Sequence, residues 1–420
     1  MASAWQRLGT YAAGARTRIL LSCFLAQSVA IGVAYGTFGP LLQVNVDHFG
    51  VSRAWMSVGM SILSATMGVI APLLGAMMPR LSVRGTMMIA AFVGFLGYIG
   101  LAVTNSFYLA LFMYFLTGAS MTALAILCPV VLINRWFSEN RGKALAMANL
   151  PIALAFAPYI IVALLPIYGR FWVIAGLGII HLLLIPIFLL IVDQPRQAEA
   201  TADAAPDAKA KTAPAAAPDN AGILKSPAFW CVSVGAALMA AAGSAFFVHI
   251  ISFGVEHGMT PQAASGLLAI YAAAGVAGTP LFGWLADRIG AILAFAIAGV
   301  VQALMWWAMV YTSGVALYGV ILLLGMCILP LVTLIGASLG EIFGKESVGL
   351  AMGYCYTIKL PFLFVYPPLV GLIADKTGNY AAAFLMTGGI LALSALGLFA
   401  AMHMQRGIRS STKVKQIAEA

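Results

Sequence analysis

Long apolar runs, each of about twenty residues, are the feature that most constrains this chain. An α-helix needs about 20 mostly apolar residues to cross the hydrocarbon core of a bilayer. The runs fill most of the 420 residues, of which 62% are hydrophobic and only 8% charged. A soluble domain carries about 25% charged residues and has no place to bury so much apolar surface. The chain is therefore predicted to be an all-α membrane protein.

Twelve runs are long enough to span a membrane. We predict spans at about 18–43, 54–78, 86–104, 107–133, 143–166, 171–192, 227–254, 262–286, 291–311, 315–340, 347–373 and 381–403. The first run follows several arginines, but it is too long for a signal-peptide core and lacks an evident cleavage site, so we expect a retained helix. All five cysteines lie within runs without metal-binding spacing, so we expect neither disulfides, nor a metal, nor a cofactor.

Basic residues fall almost entirely on one side of these spans. With both termini on that side, only Arg53, Arg170 and Lys376 lie opposite, and Lys359 alone falls inside a span. The positive-inside rule then predicts cytoplasmic termini in a plasma membrane, here a bacterial inner membrane. The net charge of +9 is dispersed between spans rather than gathered into a basic face, which argues against a nucleic-acid partner.

A polar segment divides the chain into two halves. Residues 193–226 are rich in Ala, Pro, Asp and Lys and cannot form a core, so we interpret them as a cytoplasmic linker. Six spans precede the linker, in residues 1–192, and six follow it, in residues 227–420. The predicted architecture is two pseudo-symmetric six-helix bundles.

A short loop pattern recurs in both halves. Gly283, Asp287, Arg288 and Gly290 follow the eighth predicted span, and residues 75–84 form a weaker copy after the second. Glycine allows helix ends to approach closely, and Asp and Arg can bond exposed helix ends at the membrane face. With twelve spans and a central polar loop, the sequence resembles the major facilitator superfamily. That resemblance implies two bundles that alternate access to a central site, with the loop acting in gating.

Further motifs are similar to one branch of that superfamily. Residues 134–137 (Asn-Arg-Trp-Phe), which contain Arg135, and the following Arg141 resemble the oxalate/formate antiporter and monocarboxylate transporter branch. We assign both arginines to the gating loops. Gly353 followed by Lys359 is similar to the antiporters, a resemblance that implies that the lysine binds the substrate carboxylate. Thr279 stands where the dicarboxylate-exchanging member has an arginine, so we expect a monocarboxylate.

Lys359 is also singled out by physical chemistry alone. The thirteen acidic residues all lie in loops or near span ends, so no carboxylate is available at mid-membrane. A lysine there costs about 2.5–3.5 kcal/mol on insertion scales. Either the amine is neutral or snorkels to the interface, or a transported anion supplies the missing counter-ion. We favour the transported anion.

Other polar side chains are weaker candidates for the same site. His249 is predicted to bind substrate or relay protons, as is Lys359, although a hydrogen-bonded interhelical histidine is an equal alternative. The tyrosines that offer a hydroxyl and an apolar face are Tyr35, Tyr271, Tyr354 and Tyr356. Tyr35 also matches a tyrosine of the antiporter family, whereas ordinary packing is the alternative for the other three.

The predicted function is secondary transport of a small organic anion, by proton symport or by anion exchange. The partners we expect are that organic acid, protons and the bilayer, and we expect a functional monomer. An enzyme is disfavoured because no paired carboxylates, metal cluster or activated nucleophile lie inside the membrane. The alternatives are a multidrug or other solute exporter of the same superfamily and a receptor without transport activity.

Overall fold

The computed structural model describes residues 2–78, 80–137, 141–193 and 220–418, and these residues contain helices but no β-strand. The helices are α1 (Ala2–Gly36), α2 (Phe38–Phe49), α3 (Arg53–Met77), α4 (Val83–Val103), α5 (Phe107–Met121), α6 (Cys128–Trp136), α7 (Arg141–Ala148), α8 (Ile152–Leu189), α9 (Asn220–Lys225), α10 (Pro227–Glu256), α11 (Pro261–Ile289), α12 (Ala291–Tyr311), α13 (Gly314–Met326), α14 (Leu331–Thr377) and α15 (Ala381–Ala418). A π-helical segment, Thr122–Leu127, joins α5 to α6.

Eleven stretches of the described residues are long and apolar enough to cross a bilayer. One of them, α8, contains 38 residues and is interrupted at Gly169, whose φ of 73° and ψ of 171° are not helical. A positive φ is readily adopted only by glycine, so two helices meet at this point. Counted on either side of Gly169, α8 supplies the fifth and sixth predicted spans. The chain is a multi-pass membrane protein of the predicted all-α class.

The predicted start of the fifth span is wrong by nine residues, about two and a half helical turns. We expected it at residue 143, but α7 ends at Ala148 and α8 begins at Ile152. Pro151, with φ −84° and ψ 47°, separates the two helices. Proline lacks the N–H that a continuous helix would use, which explains the interruption.

The helices form two compact units. The first unit comprises Met1–Val51 and Ile62–Ala213, and the second comprises Ser52–Ser61 and Pro214–Ala420. Helix α3 is therefore divided, because its first residues belong with the second unit. The predicted domain boundaries at residues 192 and 226 stay a prediction, and residues 194–219 of the predicted linker lie outside the described part of the chain.

Small residues allow close helix packing in the first unit, where α8 packs against both α1 and α4. A Cβ added at Gly178 of α8 would lie 3.2 Å from the carbonyl oxygen of Phe95 in α4. Gln27 of α1 donates a hydrogen bond to the side-chain oxygen of Asn149. These contacts are typical of membrane helices, which associate through small residues and interhelical hydrogen bonds.

The second unit contains a span that is broken inside the membrane. Helix α13 ends at Met326 and α14 begins at Leu331, within the apolar stretch Gly314–Gly344. The intervening turn is Cys327–Pro330, and the amide of Gln302 in α12 donates to the Cys327 carbonyl at 3.2 Å. Backbone outside a helix is tolerated at membrane depth only where protein or water satisfies it, and Gln302 fulfils that requirement here.

Candidate functional site

Lys359 lies in the second unit on α14, nine residues after the start of the apolar stretch Leu350–Thr377. At 1.5 Å per residue this is about 13.5 Å along the helix, close to half of a hydrocarbon core of about 30 Å. The side chain is only 5% exposed. It shares its helix face with the buried residues Ala351, Cys355 and Leu363. Lys359 is therefore buried within its own bundle near mid-membrane and does not face lipid.

The surroundings of the Lys359 ammonium are apolar and aromatic. Its Nζ lies 4.5 Å from the centroid of the Tyr356 ring, one turn earlier on the helix. Such a cation–π contact contributes about 0.5–2 kcal/mol, which does not replace a counter-ion. No carboxylate of the described residues forms an ion pair with Lys359.

Three carboxylates of the second unit instead accept hydrogen bonds from backbone N–H groups at helix ends. Glu256 accepts hydrogen bonds from the backbone N–H of Tyr380 at 3.2 and 3.3 Å. Glu341 accepts from Ala291 N at 3.0 Å, at the start of α12, and Asp375 accepts from Ala54 N at 3.1 Å. The described acidic side chains thus follow the predicted pattern of lying near span ends.

The four predicted tyrosines occupy different environments. Tyr356 is half-buried beside Lys359, and Tyr354 is half-buried against the core of the second unit. Tyr271 is 1% exposed, stacks on Phe246 at 4.2 Å, and its buried hydroxyl has no hydrogen-bond partner among the described residues. Tyr35 belongs to the first unit, where its hydroxyl lies 3.3 Å from Ser64 Oγ. The geometry brings only Tyr356 into direct contact with Lys359.

His249 is completely buried in α10 and is bonded through both ring nitrogens. Nε2 lies 3.0 Å from the carbonyl oxygen of Pro367 and 3.5 Å from Ser57 Oγ, and Nδ1 lies 3.3 Å from the Tyr380 hydroxyl. The sequence did not identify any of these partners. Arg53, for which the sequence predicts only a side of the membrane, also lies here, with its guanidinium carbon 5.7 Å from the centroid of the Tyr380 ring.

The predicted gating residues lie at helix ends. Gly283, Asp287 and Arg288 belong to the last turns of α11, and Arg288 stacks over the Trp284 ring at 4.6 Å. Gly290, with φ 95°, ends α11 and precedes α12, a conformation that favours glycine. Near this turn, Glu341 accepts the hydrogen bond from the backbone N–H of Ala291, the first residue of α12. Glu341 was not among the predicted site residues.

The remaining two gating residues belong to the first unit. Arg135 lies in the last turn of α6, where a cation is favoured by the helix dipole. Arg141 begins α7, and its side chain lies outside the described part of the structure. Their assignment to gating stays a prediction.

Comparison with known protein families decides the classification. The sequence profile of the Major Facilitator Superfamily matches residues 23–359 and, in a second match, residues 253–418. The chain belongs to the Major Facilitator Superfamily. This confirms the family resemblance carried by the loop pattern. Membership in the superfamily also supports the interpretation that the chain is not an enzyme.

Within the superfamily, the chain is similar to several named transporters. It is 29% identical to the MFS-type transporter pynF of Aspergillus niger over 243 residues, which are 56% of this chain and 53% of that protein. It is 28% identical to monocarboxylate transporter 12 of Rattus norvegicus over 183 residues, 42% of this chain and 37% of that protein. The chain thus spans about half of the fungal protein and less than two fifths of the rat protein. Human monocarboxylate transporter 11 is 25% identical over 377 residues, 86% of this chain and 76% of that protein.

Solved structures of the superfamily share the fold. An inward-facing, unoccupied bacterial homologue of the human lysosomal transporter Spinster matches with a TM-score of 0.67 at 15% identity, covering 93% of this chain and 96% of that one. The peptide transporter POT in complex with sulfate matches with a TM-score of 0.72 at 12% identity, covering 92% and 95%. These likenesses confirm the predicted major facilitator fold.

Proposed function

We propose that this protein is a secondary transporter of a small monocarboxylate, which it moves by alternating access. The observation that carries the proposal is the buried Lys359 near mid-membrane without a carboxylate partner among the described residues. An ammonium in a low-dielectric site is strongly stabilised when an anion from solution binds beside it. The transported carboxylate is that anion.

The residue at position 279 favours a substrate with a single negative charge. Thr279, which precedes Pro280 in α11, donates its hydroxyl hydrogen to the Gly275 carbonyl at 3.0 Å and carries no charge. A dianion would need a second cation, and the chain has an alcohol where a dicarboxylate exchanger has an arginine. The names of monocarboxylate transporters 11 and 12 among the relatives agree with a monocarboxylate.

The tyrosines would hold the apolar part of the substrate. In this proposal Tyr356 lies beside the bound carboxylate, because its ring already contacts the Lys359 ammonium. Tyr354 and Tyr271 of the same unit would supply further hydroxyls and ring faces when the substrate is bound, and a substrate-binding role of Tyr35 stays a prediction. The unpartnered hydroxyl of buried Tyr271 supports this role, since an unsatisfied buried hydroxyl costs about 1–3 kcal/mol.

The membrane orientation is part of the proposal. Both termini and the predicted linker face the cytoplasm of a bacterial inner membrane, because nearly all Lys and Arg residues flank the spans on that side. The protein acts as a monomer, and protons or a second anion drive the substrate. Counterflow measured with and without an imposed pH gradient distinguishes proton symport from exchange.

Substitution of Lys359 tests the proposal. In proteoliposomes, Lys359→Ala should lower saturable uptake of labelled monocarboxylates by about 10- to 100-fold, because a hydrogen bond to a charged group contributes about 1.5–3 kcal/mol. The same carboxylate at 100 times its Kd should stabilise the unaltered protein by about 2.7 kcal/mol in thermal unfolding, and this shift should vanish in the variant.

Lys376→Ala is the matched control, since Lys376 lies in the last turn of the same helix and is exposed. It should retain both uptake and the thermal shift. Uptake that survives the loss of Lys359 would overturn the proposal. Binding of a lipophilic cation that is undisturbed by Lys359→Ala would instead favour the multidrug exporter.

A further inference from the structure

Within the second unit, the start of α3 is attached to α10 and α14 by a set of polar contacts. Ala54 N donates a hydrogen bond to Asp375 Oδ2 at 3.1 Å, and Ser57 Oγ lies 3.5 Å from His249 Nε2. The backbones also approach closely, because a Cβ added at Gly371 would lie 2.9 Å from Ala54 N. We call this set, Arg53, Ala54 and Ser57 against His249, Gly371, Asp375 and Tyr380, the α3 latch.

The hydrogen bonds around His249 are satisfied by a neutral imidazole. The Pro367 carbonyl can only accept, so Nε2 carries a hydrogen and donates to it. Ser57 donates its hydroxyl hydrogen to the Arg53 carbonyl at 2.7 Å, which leaves its oxygen free to accept from Nε2. Nδ1 then accepts from the Tyr380 hydroxyl. Every donor finds an acceptor when the imidazole is neutral.

A proton added to His249 disrupts this arrangement. Nδ1 would become a donor, so it could no longer accept the hydrogen of the Tyr380 hydroxyl. The new charge would be fully buried, and burial of an unpaired charge is costly. It would also face the cation of Arg53, which lies one turn from Ser57 and contacts the Tyr380 ring.

The other charged and titratable groups at this end do not offset the charge. Asp375 of α14 is engaged by Ala54 N, and Glu256 of α10 by Tyr380 N. His257 of α10 stacks on Phe253 and bonds the Phe253 carbonyl through Nδ1. In the described residues no carboxylate is hydrogen-bonded to the His249 ring.

We infer that the α3 latch is a proton-released lock, in which a neutral His249 holds the start of α3 against α10 and α14 and a protonated His249 releases it. The inference rests on the proposed alternating access, because release of α3 is what would open the side on which the latch lies. In this inference, proton binding to His249 controls the conformational change, whereas Lys359 binds the substrate carboxylate.

Accessibility of position 57 tests the lock without any substrate. Ser57 is 0% exposed, so Ser57→Cys should react with a maleimide only when the latch opens. The purified full-length protein in detergent is labelled at about pH 8 and about pH 5.5, and labelling of the parent chain, with its five native cysteines, is subtracted. Asn105→Cys, at an exposed loop position, corrects for the pH dependence of thiol reactivity itself.

The corrected labelling rate of Ser57→Cys should rise at least about fivefold on acidification, because the open form, in which the imidazole is no longer buried, takes up a proton more readily than the closed form and is therefore favoured by acid. Adding His249→Gln should abolish the rise. Adding Tyr380→Phe instead, which keeps the ring but removes the donor to Nδ1, should speed labelling already at about pH 8.

Two results would overturn the lock. One is a corrected rate that does not change with pH in the protein that retains His249. The other is an unaltered pH response in both the His249→Gln and the Tyr380→Phe backgrounds. The failure of carboxylate uptake is a separate outcome, since it would reject the proposed substrate while leaving the labelling result unaffected.

Discussion

Arg170 joins three segments of the first unit through hydrogen bonds from one guanidinium. Nε donates to Asn45 of α2 at 2.8 Å, and Nη2 and Nη1 donate to the carbonyls of Leu101 and Ala102 at 2.9 and 3.2 Å. The guanidinium carbon also lies 5.1 Å from the Phe49 ring centroid. These carbonyls belong to the last turn of α4, where a cation is favoured by the helix dipole. The planar fork of arginine can satisfy all three acceptors at once, and a lysine cannot.

Arg170→Lys should therefore destabilise the protein even though the charge is kept. We expect a loss of about 1–3 kcal/mol, because at least one carbonyl and Asn45 lose a charge-assisted donor. Thermal unfolding in detergent measures the change. Arg84→Lys is the control, since Arg84 is exposed and bonds Asp193 through its backbone N–H, and it should stay within about 0.5 kcal/mol. Equal melting temperatures for both variants would contradict a stabilising role of the Arg170 fork.

At the same scale, the sequence predicted that Lys359 lies inside a span, but it could not identify the partners of His249. A lysine in an apolar run stands out because acidic residues are absent from the runs, and that argument needs no tertiary information. The partners Ser57, Pro367 and Tyr380 are 192, 118 and 131 residues from His249 in sequence. Serine, proline and tyrosine are common in membrane helices, so nothing local marks them as neighbours of a histidine.

Among the elements, α11 and α13 owe their close packing to glycine. A Cβ at Gly278 would overlap the carbonyl oxygen of Met326, where α13 ends, and a Cβ at Gly325 would overlap the Tyr271 carbonyl. Carbonyl groups belong to the backbone and cannot rotate away as a flexible side chain can. The broken span at Cys327–Pro330 is thus held against α11 by residues that lack side chains.

Gly278→Ala should separate these two helices and lower the thermal stability. Overpacking of a tight contact costs about 1–3 kcal/mol, and the rigid carbonyl places this site at the upper end. Gly283→Ala, five residues later in the same helix, is the control because a Cβ there meets nothing within 4 Å. That variant should melt at the same temperature as the unaltered protein or slightly higher, since alanine favours helices. A Gly278→Ala protein as stable as the control would mean that α11 and α13 can separate without cost.

The helices themselves were largely predictable, but the breaks inside single apolar runs were not. Apolar run length predicted the spans, and Gly169 lies in the polar gap expected between the fifth and sixth of them. The π-helical segment Thr122–Leu127 and the turn Cys327–Pro330 consist almost wholly of apolar residues. Hydropathy does not distinguish such backbone changes from continuous helix, because they depend on contacts such as Gln302 with the Cys327 carbonyl.

For the whole molecule, the distribution of basic residues connects the α3 latch with the direction of proton entry. Arg53, a member of the latch, and Lys376, which follows the latch residue Asp375, are two of the three cations predicted on the side opposite the termini. If the termini are cytoplasmic, the latch faces the exterior and His249 responds to external protons. Acidification outside would then open the external side, which is the order of events that proton symport into the cell requires.

Side-specific cysteine labelling checks this orientation. Ala205→Cys, in the predicted linker and outside the described residues, should react with an impermeant maleimide only in inside-out vesicles. Asn105→Cys, in the exposed loop between α4 and α5, should react only in right-side-out vesicles or intact cells. The parent chain supplies the background, because its native cysteines are buried or half-buried. The reverse pattern would contradict the positive-inside assignment and place the latch on the cytoplasmic side. His249 would then respond to internal protons, and acidification would favour release of substrate into the cytoplasm rather than its capture from outside.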